Sequence, residues 1–68
     1  MINISEISIG DGVYFNSTQS QSNYGALWTI KSKSVVGELL IEVDVDDILD
    51  SAIIRIEDVT ELVKKTVE

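Results

Sequence analysis

Residues 38–46, ELLIEVDVD, alternate without a break. Leu39, Ile41, Val43 and Val45 fall on one side, and Glu38, Leu40, Glu42, Asp44 and Asp46 on the other. Strand side chains repeat every two residues, so this pattern predicts a strand with its apolar side buried. A second alternation sets Ala26, Trp28 and Ile30 against Thr29, Lys31 and Lys33 and predicts another strand. Upstream, Val13 and Phe15 share a face opposite Tyr14, directly after Gly10-Asp11-Gly12. That triplet signals a turn, because glycine takes positive φ freely and Asp bonds its own backbone. Residues 16–23 read NSTQSQSN, polar and uncharged, which predicts a loop. Val35-Val36-Gly37 puts the next bend within residues 32–38, and Ile2, Ile4, Ile7 and Ile9 suit a short strand or a lead-in turn.

From Asp47 onward the spacing supports two structures. In the favoured one, Ala52, Ile54 and Ile56 lie inward on a strand and Ile53 and Arg55 outward, since β-branched residues suit a strand. A short helix then follows over about 59–66, with Asp58 as N-cap, Glu61 three residues on, and Lys64 and Lys65 at its C-terminal end. In the alternative, Leu49, Ala52, Ile53, Ile56, Val59, Val63 and Val67 form the apolar stripe of one long helix from Ile48, over about 48–66, packed on a three-stranded meander. That stripe strands Ile54 and Leu62 on the polar side.

Composition narrows the functions. A chain of 68 residues admits one domain, residues 1–68, with a small core. Without Cys or His it has no disulfide, no thiolate or imidazole metal ligand and no Ser–His or Cys–His nucleophile. Little concave volume is expected for tuning a carboxylate, so the chain is read as non-enzymatic and without cofactor. The opening MINISEISIGDG lacks a basic region and an apolar run, and no stretch approaches the length of a membrane span. A soluble, cytoplasmic protein is expected.

Ile9-Gly10-Asp11-Gly12-Val13-Tyr14-Phe15 resembles the opening strand of small Src-homology-3-like barrels, including KOW and Tudor-type domains. Gly25-Ala26-Leu27-Trp28-Thr29-Ile30 is similar to their second strand, and Ile54-Arg55-Ile56-Glu57-Asp58-Val59 to the last strand and its closing turn. The resemblance implies a mainly β barrel of about five short strands over about 7–57, with a C-terminal helical turn. It also implies a phage, prophage or mobile-element accessory protein. The chain departs from these families in having no Pro, no basic loop after the first strand and too few rings for an aromatic cage.

Charge sharpens the partner class. Twelve acidic and five basic residues give a net charge of −7, and residues 38–50 hold Glu38, Glu42, Asp44, Asp46, Asp47 and Asp50 without one basic side chain. On a strand such charge resists edge-to-edge aggregation and can dock a basic surface. The aspartates also invite a calcium reading, but Leu49 and Arg55 stand where an EF-hand loop beginning at Asp44 needs Gly and Glu, so no metal site is expected. The leading expectation is a protein-interaction module that binds an unidentified protein through Tyr14, Tyr24, Glu38, Glu42, Asp44 and Asp46. One alternative is an acidic mimic of nucleic acid, with Glu38, Glu42, Asp44 and Asp46 imitating phosphates to inhibit a host DNA- or RNA-binding protein. A second is weak nucleic-acid binding by Lys31, Lys33 and Arg55, which the net charge opposes. The sequence leaves the oligomeric state open.

Overall fold

The period-two stretches become strands in the computed structural model, which describes residues 3–65. They are β1 (Gly12–Phe15), β2 (Trp28–Lys33), β3 (Glu38–Val45), β4 (Ile48–Arg55) and β5 (Val59–Val63), with 3-10 turns at Ile4–Glu6 and Ile56–Asp58. All pairings are antiparallel, and the order β4-β3-β2-β1-β5 makes one unclosed five-stranded sheet. The long-helix alternative is thereby excluded, because residues 48–55 form β4.

The short C-terminal helix is also corrected. Residues 59–63 form β5 and pair with β1, while residue 66, the end of the expected helix, lies outside the described residues. The physical reason is a β-bulge. Tyr14 faces Glu61 and Phe15 faces Val59, so Thr60 is left over. The extra residue puts Val59 and Leu62, three apart, on the same inward side, both half-buried against the core. That spacing imitates a helix. Asp58 starts no helix and instead accepts from the Arg55 N–H at 3.4 Å, across the preceding 3-10 turn.

The inward faces assemble one core from Ile7, Val13, Phe15, Trp28, Ile30, Leu39, Ile41, Val43 and Ile54. Trp28 sits fully buried at its centre, with Phe15 edge-on at a centroid distance of 5.2 Å. Truncating such a ring costs about 3–5 kcal/mol, comparable to the whole stability of a small domain. A two-residue loop joins β3 to β4. Asp46 (φ 52°) and Asp47 (φ 67°) supply the paired positive φ of a type I′ hairpin. Between β2 and β3, Gly37 turns at φ 88°, and its carbonyl accepts the Ile56 N–H at 2.8 Å, pinning the end of β4.

Asp11 holds the two chain ends together. Its side chain is 1% exposed and accepts from the Ser8 N–H (2.9 Å), the Lys64 ammonium (2.6 Å) and the Lys65 N–H (3.1 Å). Its backbone carbonyl accepts the Ile30 N–H at 2.9 Å. One residue therefore joins the N-terminal lead-in, β2 and the end of β5. Burial works to raise the Asp11 pKa, but Lys64 and the two amides together outweigh it and hold the group at about 2, against an ordinary 3.8. A folded-state pKa below the unfolded one adds stability above pH 3.8 that is lost as the pH falls towards 2. Allowing for solvent around the half-exposed Lys64, the contribution is about 1–2 kcal/mol. Denaturant unfolding should show Asp11→Asn less stable than wild type by about this much at neutral pH, with the gap closing between pH 4 and 2. A gap independent of pH would contradict the role assigned to the carboxylate.

Candidate functional site

The register places Glu38, Leu40, Glu42 and Asp44 of β3 on the outward side, beside Arg55, Ile53, Ser51 and Leu49 of β4. Glu42 and Asp44, two residues apart and so separated by about 7 Å along the strand, line a hollow of about 350 Å³. Its other walls include Leu27, Thr29, Lys31 and Leu49. The bare Cα of Gly12 admits Leu27 here, since a Cβ at that position would lie 2.8 Å from the leucine side chain. Leu49 is 74% exposed and Leu27 43%. Among the described residues, neither Glu42 nor Asp44 is paired with a lysine or arginine.

The other expected site residues lie elsewhere. Glu38 stands at the far end of β3 opposite Arg55 and lines a separate groove of about 410 Å³ with Phe15, Gln21, Ile54 and Asp58. Asp46 sits in the hairpin turn. Tyr14 points outward from β1, opposite Glu61. Tyr24 braces the long loop between β1 and β2. Its ring stacks on Trp28 at 6.1 Å and 21°, and its hydroxyl donates to Asp50 Oδ2 at 2.8 Å. The six residues expected to act together thus form no common site, and only Glu42 and Asp44 share a hollow.

The polar loop is fixed by its own side chains. Asn23 Nδ2 donates to the Phe15 carbonyl at 2.8 Å, its Oδ1 accepts the Gly25 N–H at 2.9 Å, and its carbonyl accepts Trp28 Nε1 at 3.0 Å. Gln21 Nε2 joins Tyr24 on Asp50 Oδ2 at 3.2 Å. The Tyr24 hydroxyl, then Gln21 and the Ser51 N–H, hold the Asp50 carboxyl below its usual range. The same bond to Asp50 raises the Tyr24 phenol.

The basic residues disperse. Lys33 donates to the carbonyls of Ile4 and Ile7, Arg55 faces Glu57 at 3.6 Å, and Lys31 stands in the acidic hollow. Among the described residues no three acidic side chains converge to hold a metal ion, and no helix is long and apolar enough to cross a membrane. Sequence reasoning missed Leu27, Leu49 and Asp50 at these positions. Extending the alternation of Ala26, Trp28 and Ile30 to Leu27 would have turned it outward, whereas the Tyr24–Asp50 contact spans 26 residues and leaves no local signal.

In a Tyr14→Phe background, ultraviolet titration should place the Tyr24 phenol above its ordinary 10.0, and Asp50→Asn should bring it back down. No response to Asp50→Asn would contradict the bond. Comparison with known proteins finds no family model, no curated protein and no solved structure that matches the chain.

Proposed function

We propose that the protein is a non-catalytic interaction module that docks a basic segment of a partner protein in the hollow formed by Leu27, Leu49, Glu42 and Asp44. The observation that carries this reading is two carboxylates, unpaired by any lysine or arginine among the described residues, lining one hollow with two exposed leucines. A lysine or arginine fits that arrangement, its aliphatic stem against the leucines and its charged head on the carboxylates. The acid-rich surface around the hollow would speed encounter with such a partner.

We further propose a small Src-homology-3-like barrel as the architecture, in the phage, prophage or mobile-element setting that the resemblance implies. The strand order, the long loop after β1 and the 3-10 turn joining β4 to β5 support the barrel reading. Phosphate mimicry has weaker support. Leu40 interrupts the acidic row between Glu38 and Glu42, and Asp46 leaves the face at the turn. Binding of nucleic acid by Lys31, Lys33 and Arg55 has weaker support still, because the three line different hollows.

The test compares proteins captured from the native host by wild type and by Glu42→Gln/Asp44→Asn, with Glu57→Gln as control. The shape-preserving pair of changes should cut retention of a partner by about tenfold or more, with the control unchanged. Equal capture by wild type and the double variant would refute the hollow as the docking site.

A further inference from the structure

β4 is an outer strand of the sheet, and part of the β1–β2 loop faces its residues 52–55 across a groove of about 410 Å³. Val45 and Ile48 close the two-residue hairpin, so hydrogen-bonded pairs with β3 recur at Asp50, Ala52 and Ile54. The N–H and C=O groups of Leu49, Ser51, Ile53 and Arg55 therefore face the open edge. Two of these N–H groups bear this out by bonding to side chains, Ser51 to Asp50 Oδ1 at 2.8 Å and Arg55 to Asp58 Oδ2 at 3.4 Å. Natural edge strands are blunted by lysine, proline, bulges or short length. β5, the opposite outer strand, is five residues long and bulged at Thr60. β4 has eight residues, pairs with β3 without a bulge and contains neither lysine nor proline. Its Leu49 and Ile53 are 74% and 70% exposed.

We propose that two copies of the chain pair antiparallel along β4 about a two-fold axis at Ser51. In this register Leu49 of one copy meets Ile53 of the other on the outward side, and Ile48 meets Ile54 on the inward side. The open backbone groups also match, since Leu49, Ser51 and Ile53 are the residues whose N–H and C=O groups face outward on both strands. A slip of two residues sets Leu49 against Ser51 or Arg55 and loses both Leu49–Ile53 contacts. A slip of one residue opposes bonded to unbonded positions.

The junction joins two five-stranded sheets into one of ten, and it shares Leu49 with the hollow proposed as the docking site. A single strand pair is a small interface, and the Ser51 N–H must turn from Asp50 to the second copy. The association is accordingly weak, with a dissociation constant of about 0.1–1 mM.

Sedimentation equilibrium from about 10 μM to about 1 mM should show the mass rising from 7.5 kDa towards twice that value. Ile53→Lys should hold it at 7.5 kDa, although the substitution lowers the net negative charge and so lessens repulsion between copies. The chain has no native cysteine, and Ser51→Cys places two thiols across the axis at a Cα separation of about 5.5 Å, within disulfide reach. Under mild oxidation it should cross-link at least about tenfold faster than exposed Ser5→Cys. Three results would overturn the proposal: a mass of 7.5 kDa up to the highest concentration, association that survives Ile53→Lys, or equal cross-linking of the two cysteine variants.

Discussion

The sheet depends on one buried carboxylate. Asp11 lies where β1 begins and reaches the lead-in through Ser8, β2 through Ile30, and the end of β5 through Lys64 and Lys65. An isolated carboxylate at 1% exposure would be expensive, since burial strips it of water. Three donors, one of them charged, replace that water and favour the ionised form. The constraint is topological as well as energetic. Beside it, β5 contributes a short, bulged ladder to β1 with Val59 and Leu62 against the core, and the lead-in is held by the burial of Ile7 and by Lys33 on the Ile4 and Ile7 carbonyls.

With the ends joined there, the two sides of the sheet take different roles. The inner side is committed to a core centred on Trp28, with Phe15 against one side and Tyr24 stacked over another. Among the described residues, no layer covers the outer side of β2, β3 and β4, which carries leucines mixed with acids that no lysine or arginine pairs. Such a mixture is more apolar than solubility requires and more charged than a core tolerates, as in surfaces that take a partner. The outward side of β3 carries three of the twelve acidic residues, Glu38, Glu42 and Asp44, while Asp11, which is buried, is neutralised by Lys64.

How much of this was legible in the sequence depends on the range of the interaction. The strand over residues 38–45 and its inward set Leu39, Ile41 and Val43 follow from period-two alternation, which is a local property. So do the burial of Trp28 and the parity that turns Ile54 in and Ile53 out. The end of the chain was misread because a bulge converts a strand's spacing into a helix's, and a bulge is decided by the partner strand 45 residues away, between Phe15 and Thr60. Gly10-Asp11-Gly12 was legible as a turn, but its pairing with a lysine 53 residues later was not. The site fared likewise. Glu42 and Asp44 were found by alternation, whereas Tyr24 was diverted into a brace by Asp50, a residue that alternation alone assigns no partner.

The account rests on Asp11 being ionised and held by its three donors, and the most direct test is a site-resolved titration of its side-chain carboxyl carbon by NMR. A midpoint at about 2, shifted upward in Lys64→Met, is the result expected of a carboxylate held by Lys64 and two amides. A midpoint near 3.8 that ignores Lys64→Met would show that Asp11 is an ordinary turn aspartate and that the chain ends are held by something else.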